Sequence, residues 1–153
     1  MTTEQRFWSK VSIGGPEDCW VWQATKSRGY GQLRIDGKMV YAHRFAYELA
    51  TGEPLSPGVQ VDHRCHNTVC VNPLHLREAT NKQNCENFSG AMSNSSTRVR
   101  GVYPHGNRFR AQVGHNYQKI HLGIFDTVGA AEAAVKAKRL ELYTHNEADR
   151  RAS

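Results

Sequence analysis

Apolar and polar positions change their period several times along the chain. Cys19-Trp20-Val21-Trp22, followed by Gly29-Tyr30-Gly31-Gln32-Leu33-Arg34-Ile35 and an Asp36-Gly37 turn, has the alternation and punctuation of short hairpin strands. Tyr41 to Ala50 shifts to a helical period, with Phe45 and Leu49 four apart on one face and Thr51-Gly52 and Pro54 as its stop. Val59-Gln60-Val61-Asp62-His63 alternates again as a brief strand, and a polar loop follows as far as Asn72-Pro73. From Leu74 into Cys85 a helix, or a turn plus helix, is expected.

Ser89 to Thr97 is small, polar and without period, as a flexible linker should be. Beyond it, Arg98 to Tyr103, Asn107 to Val113 and Tyr117 to Leu122 read as three strands, separated by Pro104-His105-Gly106 and Gly114-His115-Asn116 turns. Alternation places Arg108, Arg110 and Gln112 on one face and Phe109, Ala111 and Val113 on the other, with Arg98 and Arg100 beside the first set. Val128 to about Tyr143 turns helical, with Ala130, Ala133, Ala134, Ala137 and Leu140 forming a thin apolar stripe. The pattern predicts an α+β chain in two small units: residues 1–88, a linker over 89–97, a second unit over 98–145 and a tail over 146–153. No internal repeat of solenoid period is present.

Charge sharpens this division. The chain has 153 residues and a formal net charge of +6. Ten basic and nine acidic residues precede Thr97, whereas ten basic and five acidic residues follow it. Arg98 to Phe125 holds Arg98, Arg100, Arg108, Arg110 and Lys119 and no acidic residue, which predicts a phosphate-facing surface. No apolar run of membrane-spanning length occurs, and Met1 to Lys10 lacks the apolar core of a secretory signal. No membrane association is expected, and a cytoplasmic setting, bacterial or phage-infected, is the expectation.

The chemistry concentrates between Val61 and Leu76, where Asp62, His63, Cys65, His66, Cys70, Asn72 and His75 fall within one short stretch. Four cysteines in a chain without a secretory signal suggest thiols or metal ligands rather than disulfides. Cys65 and Cys70, with Cys19 brought in from the strand region, make a candidate structural zinc site. His43, His66 and Cys85 all remain open as its fourth ligand. Asp62 and His63 are adjacent on a strand, so their side chains point opposite ways and can serve different tasks.

The pattern Asp62-His63, Asn72 and His75-Leu76, with Thr80 and Asn84 downstream, resembles the HNH endonucleases. Cys19-Trp20-x-Trp22, Gly29-Tyr30-Gly31 and Ala42-His43-Arg44 are also similar to the phage-type HNH proteins, so the likeness covers about residues 18–88. It implies a ββα-metal fold in which His63 is the general base and Asp62 and His75 hold one Mg²⁺ or Mn²⁺. It further implies that Asn72 braces the loop and orients the base through backbone hydrogen bonds. Hydrolysis of a phosphodiester at neutral pH needs both a base for water and a cation for the growing charge, which such a set supplies.

Arg100-Gly101-Val102-Tyr103, Arg108-Phe109-Arg110-Ala111-Gln112 and His121-Leu122-Gly123-Ile124-Phe125, followed by the alanine-rich helix, resemble the AP2 DNA-binding domain over about residues 97–144. That resemblance implies a three-stranded antiparallel sheet in the major groove, with a helix behind it. Arg98, Arg100, Arg108, Arg110 and Gln112 are the expected DNA contacts, and Lys119 contacts phosphate. Together these expectations describe a homing or free-standing HNH endonuclease acting on double-stranded DNA. It would be a monomer or dimer and use no small-molecule cofactor. The alternative is a DNA-binding regulator whose HNH-like unit is a catalytically silent, zinc-pinned scaffold.

Overall fold

The computed structural model describes residues 1–88 and 90–151. Ser89, which opens the expected linker, and Ala152 and Ser153, which end the expected tail, lie outside the described residues. The chain is mixed α and β with small antiparallel sheets, and it divides into two units, Met1–Asn84 and Cys85–Ser153. Among the described residues no helix is long and apolar enough to cross a membrane.

In the first unit α1 (Thr3–Trp8) is started by a capping box in which Thr2 and Gln5 satisfy each other's backbone N–H groups. It delivers Phe7 onto Trp22, ring centroids 5.2 Å apart, at the centre of a core completed by Leu33, Ala42, Ala46, Val61, Val71 and Leu76. Trp22 lies on β2 (Val21–Trp22), paired with β1 (Val11–Ser12). A meander follows: β3 (Lys26–Ser27), β4 (Tyr30–Ile35) and β5 (Lys38–Tyr41). Its Asp36-Gly37 turn has positive φ at both residues, 47° and 81°, the backbone that a two-residue hairpin needs. Gly31 cannot be replaced cheaply, because a Cβ there would sit 2.6 Å from Trp22 Cδ1.

Helix α2 (Ala42–Thr51) turns Ala42 and Ala46 inward and stops at left-handed Gly52. Strand β6 (Gln60–His63) pairs antiparallel with β7 (Leu76–Ala79), setting Asp62 opposite Arg77 and His63 opposite Leu76. The expected helix, or turn plus helix, from Leu74 is corrected in part: a 3₁₀ turn (Pro73–His75) and α3 (Asn81–Glu86) are present, but β7 lies between them. Four residues are too few to display a period. β7 exists because β6 offers its backbone a partner, with Leu76 and Ala79 buried.

The second unit is a three-stranded antiparallel sheet in the order β10-β9-β8, with β8 (Val102–His105), β9 (Arg108–His115) and β10 (Gln118–Phe125). Pro104, expected in a turn, belongs to β8, an edge strand where the missing N–H is tolerated. The second turn is Asn116-Tyr117, both at positive φ. Along β9, Ala111 and Val113 are buried while Arg108 and Arg110 are exposed, as the alternation predicts.

Helix α4 (Val128–Leu142) starts at Thr127, whose hydroxyl accepts from the Ala130 N–H. Its buried positions are Ala131, Val135 and Arg139, which corrects the expected stripe: Ala130, Ala133 and Ala137 are exposed. Alanines on every side of a helix leave its apolar face poorly marked, and Val135 decides it. Residues 146–151, within the expected tail, carry α5 (Glu147–Arg151) and two buried polar side chains, Asn146 and Asp149. The Asp149 carboxylate accepts from Arg139 at 2.6 and 2.9 Å and from the Asn146 amide at 2.6 Å.

Candidate metal centre and active site

Asn72 organises the loop between β6 and β7. Its side-chain oxygen accepts from the Leu74 N–H and starts the 3₁₀ turn that presents His75. Its amide nitrogen donates to the carbonyls of Pro16 and Asp18 at 2.9 and 2.8 Å, which fixes the segment bearing Cys19. The side chain is fully buried.

Around this brace Cys19, Cys65, Cys70 and His75 bring their ligand atoms within 4.8 Å of one another. His75 Nδ1 lies 3.7 Å from Cys19 Sγ and 3.6 Å from Cys70 Sγ. A tetrahedral zinc with Zn–S about 2.3 Å and Zn–N about 2.0 Å has an S to N edge of about 3.5 Å, so the donor set fits that ion in both chemistry and spacing. Hydrogen bonding from Cys70 lowers the Cys65 thiol to about 4, and the same bond, with burial, raises that of Cys70.

The fourth residue of this cluster is His75; His43, His66 and Cys85 do not belong to it. The signal for it was an even spacing, Cys65-x₄-Cys70-x₄-His75. The expected pairing of Asp62 with His75 is not what the structure assembles. Asp62 is buried, and its Oδ2 accepts a hydrogen bond from Arg77 Nε at 3.0 Å and forms an ion pair with Arg77 Nη2 at 3.0 Å, from directly across the hairpin.

His63 is 6% exposed, and its Nε2 lies 3.1 Å from the Cys70 carbonyl oxygen. A carbonyl only accepts, so Nε2 carries the proton and Nδ1 presents a lone pair. Burial lowers the His63 pKa, outweighing the opposing pull of Cys65, the Cys70 carbonyl and Asp62. That direction favours the neutral imidazole, the form a general base requires. Beside it lies His43, from the first turn of α2, with ring centroids 4.7 Å apart, and Tyr30 and Tyr41 close the group.

In the second unit Arg108 pairs with Asp126 at 2.8 Å on the surface, and Arg110 stacks over Tyr103. Gln112 faces His121 across the ladder and Lys119 faces Gly114. Arg98 is exposed, in a left-handed turn before the sheet. Arg100 is placed differently from expectation. Its guanidinium donates to the carbonyls of Cys85, Glu86 and Phe88 and lies over the rings of Phe88 and Tyr143, so it is held in the unit's own packing. Gly101 explains this: at φ +85° it breaks the alternation before β8 begins.

Comparison with known proteins agrees with the chemistry of the first unit. Residues 40–85 match the family model described as HNH endonuclease. The chain is 42% identical over 73 residues to Protein 7.7 of Escherichia phage T7, covering 47% of this chain and 55% of that protein. It is also 42% identical over 78 residues to Protein 2.8 of the same phage, covering 49% of this chain and 50% of that one. The chain thus spans about half the length of the curated relatives it matches. No solved structure matches it.

Proposed function

We propose that the protein is a metal-dependent endonuclease that hydrolyses phosphodiester bonds in double-stranded DNA, with His63 as general base. The observation carrying this reading is the His63 Nε2 bond to the Cys70 carbonyl, which fixes the proton on one ring nitrogen and the lone pair on the other. His63 Nδ1 takes a proton from water, and the water oxygen attacks phosphorus in line with the departing 3′ oxygen. The products carry 5′-phosphate and 3′-hydroxyl ends.

Asp62 is the hard oxygen donor next to the base, and we assign it the divalent cation, Mg²⁺ or Mn²⁺. When bound, that cation neutralises charge on the scissile phosphate and leaving oxygen. Arg77, seated on the same carboxylate, orients Asp62 until then. Zinc at Cys19, Cys65, Cys70 and His75 is assigned a structural part: all four positions are protein ligands, which leaves no open site for chemistry.

The second unit is proposed as an AP2-like targeting module, with Arg98, Arg108, Arg110, Gln112 and Lys119 meeting DNA. The functional division follows the sequence boundaries, nuclease over 1–88 and targeting over 98–145, in a bacterial or phage-infected cytoplasm. A homing role belongs to the same proposal.

A second reading is favoured by the Asp62–Arg77 pair, which occupies the carboxylate a cation would need. In that reading the first unit is a silent scaffold and the protein only binds DNA. Supercoiled plasmid incubated with Mg²⁺ or Mn²⁺, with EDTA, and with His63→Ala separates the two. Nicking by the parent that His63→Ala loses supports the nuclease. A gel shift without nicking in either cation supports the regulator.

A further inference from the structure

His43 has a property that packing does not account for. It is 7% exposed, and its Nδ1 is buried with no hydrogen-bond partner among the described residues. An unsatisfied buried nitrogen is destabilising, so an apolar ring would suit a purely structural position better. Burial, His63 and Arg44 lower its pKa to about 3, so the ring is neutral and one nitrogen carries a proton to donate.

Two further observations say what such a nitrogen could meet. The ring lies 4.7 Å from that of His63, centroid to centroid, and the two are tilted by 48°. His43 also sits in the first turn of a ten-residue helix whose N-cap, Tyr41, makes no side-chain cap. The amides of such a turn and the helix dipole favour an anion there. The orphaned imidazole nitrogen thus lies beside the proposed base at an uncapped helix start, and an anion that suits this combination is a phosphodiester.

We propose that His43 is a second substrate-touching residue of this site, donating a hydrogen bond from its imidazole to a non-bridging oxygen of the scissile phosphate. The proposal rests on the nuclease reading above and assigns His43 a task distinct from that of His63. His63 removes a proton from water, whereas His43 holds the phosphate while charge accumulates on its oxygens. Tyr30 and Tyr41, packed on the His43 ring, fix its orientation.

The test uses the full-length protein, supercoiled plasmid and Mg²⁺ or Mn²⁺, with His43→Phe and His43→Gln compared with the parent. His43→Phe keeps a ring and deletes the orphaned nitrogen, so its melting temperature should equal or exceed the parent's. Its nicking rate at saturating plasmid should nevertheless fall on the order of a hundredfold, the usual effect of losing one such donor. His43→Gln restores an N–H donor and should recover at least tenfold of that loss. Plasmid affinity by gel shift should stay within about threefold in both, since one phosphate contact is a small part of DNA binding.

A folded His43→Phe that nicks at the parental rate overturns the proposal. Loss of the folded state in both variants also overturns it, because His43 is then a core residue. A parent that nicks nothing in either cation is a different failure: it removes the nuclease reading itself, whatever the variants do.

Discussion

His63 and Cys70 are joined by one hydrogen bond that couples the two halves of the first unit's chemistry. The Cys70 carbonyl accepts from His63 Nε2 at 3.1 Å, while the Cys70 sulfur belongs to the four-residue ligand set. The backbone that orients the proposed base is therefore the backbone that the metal would pin. Asn72 reinforces the link, since its own N–H donates to Cys70 Sγ at 3.4 Å.

Protein purified without chelator should accordingly contain about one zinc per chain by elemental analysis, as a closed structural site of this kind holds one ion. Cys65→Ser and Cys70→Ser should lose that metal, and their first unit should unfold at markedly lower temperature, because metal binding and folding are linked. Nicking should vanish in the same variants although neither alters His63. Full zinc occupancy in Cys70→Ser would refute the assignment of the ligand set.

His75 offers a sharper separation. As a zinc ligand it can be exchanged for another soft donor, so His75→Cys should retain zinc and the folded state while His75→Ala loses both. If His75 instead held Mg²⁺ with Asp62, His75→Cys would abolish nicking and leave zinc untouched. Elemental analysis and the plasmid assay on the same preparations decide between these outcomes.

Arg100 and Arg110 should behave in opposite ways. Arg100→Ala removes three bonds to carbonyls and two ring contacts, and should destabilise the second unit by about 2–3 kcal/mol, the scale for hydrogen bonds from a charged donor. Arg110→Ala leaves an exposed position and should not move the melting temperature. It should weaken DNA binding and lower the slope of affinity against salt by about one ion. Thermal melts and gel shifts over a salt series read both.

The contrast between these arginines shows where the sequence was legible. Along β9 the alternation is unbroken, so the exposed side of Arg108 and Arg110 and the buried side of Ala111 and Val113 could be read directly. Arg100 stands two places before the first residue of β8, across left-handed Gly101, and there the alternation no longer says where a side chain points. The thiols of Cys19, Cys65 and Cys70 were recognisable by their chemistry. Their partner His75 was marked only by its even spacing from Cys65 and Cys70, because its contact with Cys19 spans 56 residues and the two segments are joined by the bonds of Asn72. Likewise His43 and His63 meet only because α2 and β6 fold onto one core, which no local period encodes.

Asp149 makes the stability of the second unit acid-sensitive. Burial raises its pKa, but the hydrogen bonds from Arg139 and Asn146 outweigh that, and the net shift is downward. A carboxylate depressed in the folded state binds protons more readily when unfolded, so unfolding takes up protons in acid. The contribution is fully present above the unfolded value, about 3.9, and is lost as pH falls through the folded value. Asp149→Asn leaves the Arg139 guanidinium without its counter-charge and should cost about 3–5 kcal/mol at neutral pH, the scale for breaking a buried pair. Its stability should also be flatter than the parent's below about pH 4, where the parent loses what the variant already lacks. Denaturant melts of the second unit at pH 7, 5 and 3 measure both effects, and parallel pH profiles for parent and variant would show that the pair contributes nothing.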